Sequence, residues 1–162
     1  MAVYKLLSEE YDEIDYQLIA IHTTLEDYRL AYFINKNLPV LFSKSKNDVS
    51  IKSNAIETQF SRFVYEDENK DVTWNLVQNK NDYSQEDFAI NTGLFTDSKT
   101  KISTKIYLIP EYKKVDYFLK IENNLSTSEI ENTISVLKKI NKISTVYTVS
   151  VDNIKSKDNL IF

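Results

Sequence analysis

Two carboxylates, Glu111 and Asp116, flank the short basic stretch Tyr112-Lys113-Lys114. If a tight bend brought them together, their pKa values would split and one would serve as acid and the other as base. The same residues suit turn construction: Pro110 ends a strand, both carboxylates accept backbone amides at the bend, and Val115, Tyr117, Leu119 and Ile121 line one face of the strand that follows. His22 is the only histidine and sits where a strand gives way to a helix, a common place for a site in mixed folds. No nucleophile or carboxylate stands at a recognisable spacing from it, so packing is the competing reading. Arg29 is one of two arginines, with Arg62, and its planar fork suits a carboxylate or phosphate; an ion pair with Glu26 is the simpler use.

Composition removes larger classes of chemistry. The 162 residues contain no Cys, one Gly and one His. Thiol nucleophiles, disulfides and multi-histidine metal centres are therefore excluded. A lone glycine, Gly93, does not supply the several unhindered backbone positions of a dinucleotide turn, a P-loop or a nucleophile elbow. The acidic run Glu66-Asp67-Glu68-Asn69-Lys70-Asp71 lacks the glycine and ligand spacing of a calcium loop and reads as a hairpin tip. No metal and no cofactor are expected. Eleven tyrosines, some beside lysines as in Lys105-Ile106-Tyr107 and Tyr112-Lys113-Lys114, suit stacking on single-stranded RNA. The net charge of −4 argues against that use. No apolar run has the length of a membrane span, and the first ten residues turn acidic where a signal peptide stays apolar, so a cytoplasmic location is expected.

The elements that must position these residues follow from periodicity. A strand from about Ile14 to His22 ends in the apolar run Leu18-Ile19-Ala20-Ile21, which predicts cover on both faces and a central place. A helix follows, with Thr24 as its N-cap and Pro39 limiting its end. Leu30, Ala31, Ile34 and Leu38 form its buried stripe, Tyr28 and Phe33 stand at the borders, and Phe33 has no polar tip to offer water. Val40 to Phe42 predict a short strand, and Lys44 to Asp48 a polar loop. Thr58 to Tyr65 and Val72 to Gln78 predict one antiparallel hairpin, with Trp74 in the core. Lys101 to Ile109 and Val115 to Glu122 predict a second, and Asn79 to Thr100 a long connection anchored by Phe88, Ile90, Leu94 and Phe95. Ser126 and Glu129 make a capping box, and Leu125 and Ile130 a staple, for a helix whose inner face is Ile130, Ile134, Leu137 and Ile140. Asn141 ends that helix, and Ile143 to Val151 return as a strand.

The order β-α-β-β-β-β-β-α-β predicts an α+β fold: a mainly antiparallel sheet of about seven strands with two helices covering one face. No repeat or linker divides the chain, so residues 1–162 form one domain with an apolar tail over 152–162.

The string Ile109-Pro110-Glu111-Tyr112-Lys113-Lys114-Val115-Asp116-Tyr117 reads as IPExxxVDY with its open positions, and it matches throughout the signature of the bacterial family that bears that name. The first-helix segment Leu25 to Leu38 and the ending Lys155 to Phe162 also resemble this family, so the resemblance runs over essentially the whole chain, although only the nine-residue signature is specific. It implies a whole-domain architecture and brings no activity, cofactor or catalytic residue. The signature residues Ile109, Pro110, Glu111, Val115, Asp116 and Tyr117 are thus expected to be structural. With no recognised catalytic constellation, the expected function is a non-enzymatic macromolecular interaction domain with a protein partner, its candidate contacts being Phe33, Arg29, Leu160, Ile161 and Phe162. The alternatives are an RNA-associated factor, or an enzyme of unrecognised type built on His22, Glu111 or Asp116.

Overall fold

The computed structural model describes residues 15–53, 56–86, 101–123 and 125–162. The main sheet has six strands: β1 (Tyr16–Thr23), β2 (Ser43–Lys44), β5 (Arg62–Asp67), β6 (Val72–Gln78), β9 (Tyr117–Glu122) and β10 (Ile143–Val149). Their order across the sheet is β10-β1-β9-β6-β5-β2, every neighbouring pair antiparallel. Two further antiparallel pairs extend the fold: β3 (Val49–Ser53) with β4 (Ile56–Phe60), and β7 (Lys80–Glu86) with β8 (Lys101–Tyr107). The helices are α1 (Asp27–Asn37) and α2 (Thr127–Lys138). The class is α+β, as the pattern predicts.

Alternation along the strands divides the core in two. Ile19 and Ile21 of β1, Leu119 and Ile121 of β9, and Trp74 and Leu76 of β6 pack with Leu30 and Ile34 of α1 and Ile130 and Leu137 of α2. On the other face, Leu18, Ala20, Phe118 and Val77 pack with Phe60, Ile109, Val151, Ile154 and Leu160. The run Leu18 to Ile21 is apolar throughout because β1 has β10 and β9 on its flanks and a layer on each face. Val115 belongs to the second core, away from Tyr117, Leu119 and Ile121, because it precedes β9 and lies in the bend.

The helices form where the pattern places them, with a change at the start of α1 and one at the end of α2, which stops at Lys138 with Lys139 as its C-cap, ahead of the expected Asn141; the residue that turns the chain is Lys142, at φ 73°. The N-cap of α1 is Glu26, which makes no side-chain cap bond, and Thr24 is exposed. The neighbouring Thr23 takes over the local bonding: its hydroxyl accepts from the Leu25 amide and donates to the Lys142 carbonyl, tying the exit of β1 to the start of β10. For α2 the Ser126–Glu129 box forms in both directions.

Several pairings differ from the expectation. The hairpin of Lys101 to Ile109 with Val115 to Glu122 does not form; β8 pairs with β7, while β9 lies between β1 and β6. The 3-10 turn Pro110–Tyr112 redirects the chain between them. Within the expected connection from Asn79, residues through Glu86 are strand, and Phe88, Ile90, Gly93, Leu94 and Phe95 lie outside the described residues, as does Ile14. The expected strand Thr58 to Tyr65 breaks at Ser61, so that β4 turns to β3 and β5 to β6. Val40 to Phe42 is not a strand, because the Asn35 side chain engages both backbone groups of Phe42, at 2.7 and 3.0 Å.

Candidate functional site

The signature bend is assembled around a residue the motif does not contain. Asn79, fully buried at the junction of β6 and β7, donates from Nδ2 to the carbonyls of Tyr112 and Val115, each at 2.9 Å, and accepts at Oδ1 from the Ile109 amide at 2.8 Å. Its backbone amide donates to the Asp116 carbonyl and its carbonyl accepts from Leu108, both at 2.9 Å. One side chain thus satisfies three backbone groups of a sharp bend, where no ladder exists to do so.

The signature carboxylates face different ways. Glu111 Oε1 accepts from the amides of Lys155 and Ser156, at 2.6 and 2.9 Å, and Oε2 from the Ser156 hydroxyl at 2.7 Å. Partial burial raises its pKa, but these donors outweigh burial and hold the carboxyl below the usual range. Asp116 Oδ2 accepts from the Thr23 amide at 2.9 Å, and Oδ1 pairs with Lys80 Nζ at 2.6 Å. Tyr117 donates its hydroxyl to the Leu25 carbonyl at 3.0 Å, and burial pushes its phenol pKa well up. Glu111 therefore holds the C-terminal segment, Asp116 holds β7 to the end of β1, and Tyr117 holds the loop into α1.

Asp116 borders a polar cleft of about 250 Å³ whose lining includes Thr23, Gln78, Lys80, Lys105 and Tyr117. Neither His22 nor Glu111 lines it. His22 stacks on Tyr147, ring centroids 5.6 Å apart, with Nε2 3.2 Å from the hydroxyl. The three groups weighed as catalytic are thus distributed over three separate sets of partners. Of the tyrosine and lysine neighbours weighed for RNA stacking, Lys113 lies over the Tyr107 ring at 5.9 Å and Tyr112 meets Phe118 edge-on at 6.2 Å. In the acidic turn, Asp67 Oδ1 accepts the amides of Asn69 and Lys70, a hairpin-tip role. No group of three or more His, Asp or Glu with metal-holding geometry occurs among the described residues.

The C-terminal residues dock on their own domain. Leu160 is buried in the second core and Phe162 packs against it, whereas Ile161 is 79% exposed. Phe162 covers two cations, its ring centre 4.8 Å from the Arg62 guanidinium carbon and 4.8 Å from Lys120 Nζ. Lys120, buried in β9, donates to the Leu160 carbonyl at 2.8 Å, pairs with Glu122 and lies 4.8 Å from the Tyr16 ring centre. Arg62 Nε donates to Oδ1 of the buried Asn75 at 3.0 Å. Lys120 and Asn75 sit at inward strand positions where alternation predicts apolar residues; a polar residue on an inward phase is the signal that marks them.

Helix α1 differs in leaving large side chains in water. Tyr28 and Tyr32, one turn apart on its outer face, are 60% and 61% exposed. Arg29 is exposed beside them, and Phe33 is half-buried against the first core, edge-on to Tyr32 at 5.5 Å. Asn35 clamps the Phe42 backbone to the neighbouring side of the helix, and next to it Leu41 is 72% exposed. The stripe of Leu30, Ala31 and Ile34 packs inward, while Tyr28, Tyr32 and Leu41 remain in solvent.

Comparison with family models, curated proteins and solved structures finds no match, so a functional reading rests on the geometry.

Proposed function

We propose that this chain is a cytoplasmic bacterial protein of the IPExxxVDY type that acts as a non-enzymatic interaction domain, binding a protein partner through the outer face of α1. The observation that carries the reading is the grouping of Tyr28, Tyr32 and Leu41, three of the five exposed large hydrophobic side chains among the described residues, around one helix that also presents Arg29 and part of Phe33. Tyrosine and arginine, with tryptophan, are enriched among the residues that dominate binding energy at protein interfaces, tyrosine because it buries large area at low entropic cost and arginine through its planar, multiply donating head. That the side chains of His22, Glu111 and Asp116 each engage different partners supports the non-enzymatic side of the reading. Leu160 and Phe162 dock on their own domain, so of the candidate set the reading keeps Arg29 and Phe33 on α1, with Ile161 exposed at the C-terminus.

A photoreactive benzophenone residue placed at Tyr32, and for comparison at Glu131 on α2, tests this in living bacterial cells. Expected is a discrete protein adduct from position 32, absent from position 131 and lost when Leu41→Asp is added. An adduct sensitive to ribonuclease overturns the protein reading in favour of RNA. No adduct, or the same adduct from both positions, overturns the α1 surface itself.

A further inference from the structure

The two edges of the main sheet are unlike. The β2 edge is two residues long and carries Lys44, the short, charged kind that resists pairing. The β10 edge runs over seven residues, Ile-Ser-Thr-Val-Tyr-Thr-Val, with no charge and no proline. Among the described residues no strand pairs with its outer side.

The ladder identifies the backbone groups that face outward. The Ile21 carbonyl accepts from the Asp116 amide at 3.1 Å, so Ile21 directs its backbone toward the β9 side. Backbone direction alternates along a strand, which turns Leu18, Ala20 and His22 toward β10, where they meet Val149, Tyr147 and Thr145. Val146 and Thr148 consequently direct their N–H and C=O groups away from the sheet. A register shift between His22 and Thr23 leaves Ser144 extra on β10 and confines the regular edge to Thr145–Val149.

We infer that β10 is a pairing edge for a second copy of this chain, joined antiparallel about a two-fold axis at Tyr147. In that register Val146 of each copy faces Thr148 of the other, and four backbone hydrogen bonds form from the outward groups. Tyr147, 37% exposed, meets its own counterpart as an aromatic cross-strand pair. The first charges beyond the strand are Lys142 on one side and Asp152 on the other, both exposed. Antiparallel pairing brings the Lys142 end of each copy beside the Asp152 end of the second, so the strand is neutral where it would meet itself and carries opposite charges beyond its two ends. This self-complementarity selects a second copy as the occupant, and the edge is separate from the α1 face.

Sedimentation velocity on the full chain, from about 1 to about 100 µM, a range that spans weak specific association, tests the inference. The sedimentation coefficient is expected to rise with concentration from monomer toward dimer; a monomer throughout overturns the proposal. Tyr147→Lys and Tyr147→Glu each place like charges opposite one another and are expected to loosen the dimer on the order of tenfold or more. An equimolar mixture of the two variants is expected to restore it. Thr148→Pro removes an outward N–H while leaving the β1 ladder intact, and gives a second route to the same loss. A dimer that persists in all three variants, each folded by circular dichroism, overturns the β10 edge as its interface.

Discussion

Glu111 accepts three hydrogen bonds from two consecutive residues of the C-terminal segment, and a pH titration reads what they contribute. Its folded-state pKa lies below the ordinary value of 4.5. The contribution is therefore fully present above that value and is lost as pH falls through the lower folded one. Bonds to a charged acceptor carry up to about 3 kcal/mol, and the solvent exposure of Glu111 discounts this to about 1 kcal/mol. In urea unfolding from pH 7 down to about 3, wild type is expected to lose about 1 kcal/mol more than Glu111→Gln, with every other carboxylate common to both. Parallel curves would refute the clamp. At this scale the sequence placed both signature carboxylates on amides of the bend itself, whereas Glu111 accepts from Lys155 and Ser156, Asp116 accepts from Thr23 and Lys80, and the bend is held by Asn79. Asn79 was not legible: an asparagine at a strand end looks like any loop residue, and its three side-chain bonds go to residues 30 to 36 positions away.

The C-terminal segment shows how one element can be apolar for two reasons. Leu160 and Phe162 face the domain and Ile161 faces water. Phe162→Ala removes ring contacts with Arg62 and Lys120 and is expected to cost about 2 kcal/mol. Ile161→Ser is expected to change stability by no more than about 0.5 kcal/mol. Chemical denaturation of the two variants checks the difference, and equal losses would mean that the tail contributes hydrophobic mass without a specific seat. The sequence signalled docking through the apolar ending but not which residue inserts, because a 3-10 turn over Lys157–Leu160 sets the phase. Strand and helix identities were largely legible from periodicity, α2 best of all through its capping box. Strand partners were not. The expected second hairpin failed because chain neighbours with alternating patterns satisfy the local rule equally well whether or not they pair, and β9 finds larger apolar cover between β1 and β6.

The described residues build a six-stranded sheet with a buried cluster on each face, and the β7–β8 ribbon pairs only with itself. Among the described side chains, the ribbon contributes only the partly buried Ile106 to either core. Hydrogen exchange is therefore expected to run at least about tenfold faster in β7 and β8 than in β1 and β9, whose amides lie between two buried layers. Peptide-resolved exchange measures this, and uniform protection would show the ribbon to be part of the same cooperative unit. The sequence by itself determined the α+β class, the helix faces, both-sided burial of β1 and the absence of thiol and glycine-loop chemistry, because composition and periodicity act within one or two turns of chain. Only the tertiary structure decided which strands pair, which polar residues lie in the second core, and that Glu111, Asp116 and His22 answer to different partners. Those outcomes depend on contacts between residues far apart in the chain, where many arrangements bury similar area and the choice falls to the few polar groups, Asn79 and Lys120 among them, that must be satisfied once water is excluded.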